Sequence, residues 1–201
     1  MNKGGLVVKK QEMTKMWIND AFVPVTVVKV LPQEILRYKS KDKDGYVSVV
    51  VGAEKKELKD KAKGQKISYG EVVEFEVDDS FVQNNQVGKV LDAALLEGVQ
   101  TVNVTGNAKG KGFQGMVKKF HIKGGWASHG HKFTRTWGSK GNRKPRRTMK
   151  GHPHAWHMWT QRVTVQDVKV IDVLNRDKEQ LLVLKWSLPG ARNGVLRVVL
   201  A

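Results

Sequence analysis

The chain has 201 residues, a formal net charge of +17 and no cysteine. Without cysteine, disulfides, thiolate metal sites and thiol nucleophiles are all excluded, and no apolar run approaches the ~18–20 residues that span a bilayer. The opening Met1 to Lys10 has too short an apolar run for a signal peptide and lacks the pattern of a transit peptide, so a soluble, cytoplasmic, basic protein is expected.

Taken in order, the N-terminal region reads as β structure. Leu6-Val7-Val8 and Met16-Trp17-Ile18 are short apolar runs, and Phe22 to Val30 is dense in β-branched residues. Asn19-Asp20 predicts a turn between them. Pro24 cannot donate to a ladder, which predicts a strand end, an edge position or a bulge. Ile35 to Tyr38 and Tyr46 to Val51 predict a strand pair, with Asp44-Gly45 as a hairpin turn signal. Ala53 to Gln65 reads as a short helix or a charged surface loop. Val72 to Val77 predicts a strand ended by Asp78-Asp79-Ser80, Val82 to Val90 carries little signal, and Asp92 to Glu97 predicts one helical turn. Thr101 to Thr105 is a β pattern that runs into Gly106.

The β pattern resumes at Val163 and continues to Val173. A turn at Asn175-Arg176-Asp177 then leads to strands over Leu181 to Trp186 and Val195 to Leu200, separated by a turn at Pro189-Gly190. Short strands at regular spacing predict a mainly β fold, a barrel or a sandwich.

Between those β segments the charge balance breaks. Residues 98–166 contain no Asp or Glu, yet hold 14 Lys or Arg, all six histidines and four of the six tryptophans. The other 132 residues carry 22 basic and 19 acidic side chains. A polycation with no internal counter-charge needs a polyanionic partner, and nucleic acid is the obvious one. Basic residues interleaved with Trp126, His129, His131, Phe133 and Trp137 fit RNA, because cations neutralise phosphates while flat rings stack on unpaired bases.

Rival chemistries fit less well. Gly106-x3-Gly110-Lys111-Gly112 lacks the spacing and the hydroxyl of a P-loop. His152, His154 and His157 invite a metal, but no acid or thiolate lies in the stretch to complete or orient a site. Ser128-His129 has no local carboxylate to make a triad. No catalytic residue, metal or cofactor is therefore expected.

The residues themselves then match a family. Val102 to Gly115, followed by Lys118-Lys119 and Ser128-His129-Gly130, closely resembles the signature of the bacterial-type large-subunit ribosomal protein L-three family. Further likenesses occur in order: Gly5-Leu6-Val7, Val23 to Val27, Asp44-Gly45-Tyr46, Gly138-Ser139-x-Gly141, Arg162 to Val165 and Leu188-Pro189-Gly190.

The resemblance implies a translation-factor-like β-barrel with a smaller α+β insert and a long basic extended loop. The expected body is 1–105 plus 163–201, with the insert at 31–98, and 106–162 is the loop that threads ribosomal RNA. The implied role is a structural constituent of the large ribosomal subunit that binds 23S-type rRNA, supports early assembly and reaches toward the peptidyl transferase centre. A free-standing RNA chaperone or assembly factor is the alternative. Expected partners are that rRNA and neighbouring large-subunit proteins, with no membrane and no small-molecule substrate.

Phosphate contacts are expected from Lys109, Lys111, Lys118, Lys119, Lys123, Lys132, Arg135, Lys140, Arg143, Lys144, Arg146, Arg147, Lys150 and Arg162. Stacking or hydrogen bonding is expected from Trp126, His129, His131, Phe133, Trp137, His152, His154, Trp156, His157 and Trp159. The chain departs from the family pattern at Asn142 to Arg146, which has no Gln to methylate, and at His152 to Trp159, where a Lys- and Gly-rich run is usual.

Overall fold

The computed structural model describes residues 4–57, 67–139, 141, 143, 146–147, 149–176 and 179–200. Strands β1 (Gly5–Ile18) and β2 (Ala21–Val30) form a hairpin whose register pairs Ile18 with Ala21. Asn19 and Asp20 close it at φ 47° and 59°. Two left-handed residues give the turn whose twist suits a hairpin, and Asn and Asp adopt that conformation more readily than other side chains. One 14-residue strand thus replaces the two short runs expected, carried through its polar middle by pairing with β2 around a bulge at Lys10/Glu12.

Six antiparallel strands close on themselves in the order β1, β11 (Val195–Leu200), β6 (Thr101–Asn107), β9 (Arg162–Arg176), β10 (Glu179–Lys185), β2. Buried Leu6, Val28, Val104, Leu182, Leu196 and Val198 belong to its core. Each such side chain contributes roughly 1.5–3 kcal/mol through its removal from water. Only Gly5–Lys9 of β1 pairs with β11, and β10 pairs with β2 only over Val25–Lys29. Pro24 therefore sits at an edge, one residue outside the β10 ladder, where its carbonyl accepts the Trp186 N–H at 2.9 Å.

Between β2 and β6 comes a three-stranded sheet, β3 (Gln33–Lys39), β4 (Ser48–Glu57) and β5 (Ile67–Glu76). The hairpin turn expected at Asp44-Gly45 is instead the end of a one-turn helix, α1 (Lys41–Asp44). Gly45 caps it at φ 82°, donating its N–H to the Lys41 carbonyl at 3.0 Å. The helix or loop expected from Ala53 begins as strand to Glu57, and residues 58–66 lie outside the described residues. Pairing of Ala53, Lys55 and Glu57 with Glu71, Tyr69 and Ile67 overrides their helical composition. A helix missed in the sequence, α2 (Asp79–Asn84), follows β5 and is anchored by buried Phe81. The turn expected at Asp92 to Glu97 is a 3-10 helix over Ala93–Leu96, with Ala93 and Leu96 buried.

The chain divides into two compact units, Met1–Asn107 with Arg162–Ala201, and Ala108–Gln161. The break falls at the ends of two paired strands, since Asn107 of β6 is the register partner of Arg162 of β9.

Candidate nucleic-acid interface

The unit Ala108–Gln161 leaves and rejoins β structure at neighbouring positions, so it is a long excursion between two strands of one hairpin-like pair. Within the unit, its first residues bond to its last. The Ala108 N–H donates to the Gln161 carbonyl at 2.8 Å and the Lys111 N–H to the Met158 carbonyl at 3.0 Å. Strand β7 (Gly112–Gln114) then pairs with β8 (Trp156–Met158). Gly112 takes φ 68°, which only glycine adopts at no steric cost. The region expected to be simply extended thus holds a small sheet and a one-turn helix, α3 (Met116–Phe120).

Gly106, expected in the loop, belongs to the body. It is the penultimate residue of β6, and a Cβ there would lie 2.2 Å from Leu196 Cδ2. Arg162 likewise belongs to the body, as the first residue of β9. It borders a small cleft with Glu71, Asn107 and Arg197.

Among the described residues of 108–161, none is buried. The unit therefore holds together without a core of its own, through backbone bonds and ring contacts. Lys119, in the last turn of α3, places its Nζ 5.5 Å from the Phe120 ring centre and 5.4 Å from that of Trp156. His157 and Trp159 stack at 3.9 Å with 25° between planes. Trp137 stacks on His152 at 5.5 Å, and His152 in turn lies 5.2 Å from His154. Two of these contacts, Lys119 with Trp156 and Trp137 with His152, join residues 15 or more positions apart.

Other expected residues are displayed to solvent. Trp126 and Phe133 are 78% and 67% exposed. Lys109, Lys118, Lys132, Arg135, Arg143, Arg146, Arg147 and Lys150 are exposed along the unit, as are His129 and His131. Lys140 and Lys144 lie outside the described residues. Because residues 98–166 contain no carboxylate side chain, none of these cations has a counter-charge within its own stretch. The contrast with the body is clear: Lys9–Glu54, Lys29–Glu179, Lys39–Glu74 and Lys55–Glu34 are ion pairs there. Among the described residues, no group of three or more His, Cys, Asp or Glu is placed to hold a metal.

The sequence reading missed an aromatic pair on the body. Trp17 and Phe22 meet edge to face at 4.7 Å near the hairpin end, with Lys15 Nζ 4.6 Å from the Phe22 ring centre. Both rings are mostly exposed. As strand-forming residues in strand-like runs they gave no sign of standing outside the core.

No family model matches the chain. Among curated proteins it is 36% identical to the large ribosomal subunit protein uL3 of Geobacter sulfurreducens, over 98% of this chain and 96% of that protein. It is 37% identical to the protein of the same name from Geotalea daltonii, over 98% and 95% of the two chains. The uL3 protein of Natranaerobius thermophilus is 38% identical, over 98% and 96%. Identity at this level along nearly the whole of both chains fixes the assignment: the chain belongs to the large ribosomal subunit protein uL3 family.

Proposed function

We propose that the chain is a structural constituent of the large ribosomal subunit, and that its basic unit binds the subunit's RNA. The observation that carries this is the combination found in 108–161: exposed cations with no local carboxylate, displayed rings and, among the described residues, none that is buried. Such a segment gains little from folding on itself and much from a polyanion that offers flat bases. The closed six-stranded sheet is then a barrel of the translation-factor type that holds both ends of the excursion. Lys109, Lys118, Lys132, Arg135, Arg143, Arg146 and Arg147 neutralise phosphates in this reading, and Trp126, Phe133 and Trp159 face bases. Binding, support of subunit assembly and location in cytoplasmic ribosomes follow as parts of one role, with no chemical step for the protein to catalyse.

Sedimentation of ribosomes under increasing salt tests the proposal. A structural constituent stays with the large subunit through the wash at close to one copy per particle. Release into the supernatant at substoichiometric amounts would mark a transient assembly factor instead. Affinity of the free protein for RNA should fall with salt at a log–log slope of roughly −0.7 to −0.9 per phosphate neutralised, and a flat response would refute RNA binding altogether.

A further inference from the structure

A cavity of about 630 Å³ lies within the basic unit, walled by His131, Phe133 and Trp137 and floored by Gly124 and Gly125. We propose that it receives one unpaired nucleobase, with Lys123 at its border holding the adjoining phosphate. The inference rests on the RNA-binding reading above and adds to it a defined site for a single base.

Three features make this a formed site. Its size lies within the ~300–1,000 Å³ typical of small-ligand pockets. The floor is fixed by a close backbone approach: the Gly125 N–H donates to the Thr134 carbonyl at 2.8 Å. A Cβ at Gly124 would stand 2.3 Å from that same oxygen, and one at Gly125 only 2.7 Å from the Phe133 carbonyl oxygen. Only glycines allow the two segments to meet so closely, and their lack of side chains leaves the floor flat.

The walls are held as well. The Trp137 Nε1–H donates to the Ser139 carbonyl at 3.0 Å, and the indole is stacked on His152. His131 and Phe133 meet edge to face at 6.2 Å and 74°. Phe133 nonetheless stays largely exposed, so its ring is available to a partner. Planar rings around an opening that also carries Lys123 and Thr136 suit a flat heterocycle with an anion beside it. An acidic peptide would satisfy the charge but leave the aromatic walls unused.

Gly138 supplies the test. It also lines the cavity, its φ lies outside the left-handed region, and a Cβ there meets nothing within 4 Å. The first atom of a side chain at Gly138 therefore meets open space, and Gly138→Leu adds bulk at the cavity lining. The full chain is titrated with a ten-residue oligoadenylate and with a ten-residue ribose-phosphate strand that carries no bases. The parent should prefer the base-bearing strand by about tenfold or more. Gly138→Leu and Phe133→Ala should each cut that preference at least about threefold while leaving the abasic strand's affinity and salt slope unchanged. Equal binding of the two strands by the parent overturns the pocket, as does a preference that survives both substitutions. If neither strand binds with a steep salt response, the RNA-binding reading itself fails and the pocket falls with it.

Discussion

Gln33 joins the three-stranded sheet to the closed six-stranded one, and replacing it should weaken the whole body. In the β1–β11 ladder Leu200 N–H bonds the Gly4 carbonyl and Lys10 N–H the Gly194 carbonyl, so the alternation turns the Val7 peptide away from β11. The Gln33 side chain meets it there. Its Oε1 accepts the Val7 N–H at 2.9 Å, while Nε2 donates to the carbonyls of Val7 and Leu31 at 3.3 and 3.2 Å. The carboxamide thereby stands in for the next residue of a strand.

Gln33 is 2% exposed, so water cannot readily replace it. Gln33→Leu leaves the Val7 N–H without its acceptor, a cost of about 1–3 kcal/mol. The Val7 carbonyl keeps the Leu31 N–H at 3.1 Å, which limits the further loss. Together with the lost bond to Leu31, the total is about 2–4 kcal/mol. At 2 kcal/mol the melting temperature of a protein this size falls by about 4–8 °C. In urea the midpoint should drop with no change of slope. Gln33→Glu should be worse, because it buries a charge and sets an oxygen against two carbonyls. A loss below about 0.5 kcal/mol for Gln33→Leu would show that the peptide finds another partner and that the clamp is not needed.

Three further outcomes are expected. Lys109→Gln with Lys118→Gln should flatten the log–log salt dependence of RNA binding by roughly 1.4–1.8, measured by filter binding or anisotropy across salt. Gly106→Ala should cost about 1–3 kcal/mol by overpacking against buried Leu196, whereas Gly115→Ala, with open space around its Cβ, should be tolerated; urea midpoints distinguish them. Glu74 accepts from Lys39 Nζ and Ser48 Oγ, both at 2.7 Å, and with Lys39 the larger cause its carboxyl is pulled from 4.5 down to about 2. A depressed carboxylate stabilises fully above its unfolded value, so this contribution is lost as pH falls from 4.5 through about 2. Screened at the surface it amounts to about 1 kcal/mol at most. The stability gap between the parent and Glu74→Gln should close over that same window.

What could be read in the sequence was governed by local chemistry. Asn19-Asp20 announced a turn because those side chains adopt the left-handed conformation that a tight hairpin requires, and they do so here. Asp44-Gly45 gave the same kind of signal but meant something else: a left-handed glycine caps a helix as readily as it turns a hairpin. Helix α2 was hidden because six residues with a single buried apolar anchor show no periodicity. Within the basic stretch, residue types marked the candidate cations and rings, but not their grouping. Pairing of β7 with β8, which sets Phe113 opposite His157, joins segments more than 40 residues apart, and no window along the chain contains both. The floor of the cavity was equally invisible, since Gly124-Gly125 gains its meaning from Phe133 and Thr134.

The run from His152 to Trp159 differs in chemistry from the residues before it. This return segment, extended to Gln161, contains no Lys or Arg, while the cations of 108–161 all precede it. Its rings are organised: His152 bridges Trp137 and His154, and His157 lies flat on Trp159. A point charge acts on phosphate over a distance set by salt, whereas a ring acts by contact and is indifferent to ionic strength. Outgoing and returning halves should therefore be separable by their salt response. Trp159, 65% exposed with its partner His157 behind it, offers a free face to a base. Trp159→Ala should lower RNA affinity by roughly 5- to 100-fold, the range of one lost stacking contact, and leave the salt slope unchanged. Lys109→Gln with Lys118→Gln should do the reverse, changing the slope most. If Trp159→Ala altered the slope as much as the double lysine change does, the return segment would be holding phosphates in register, and the division between its rings and the earlier cations would be wrong.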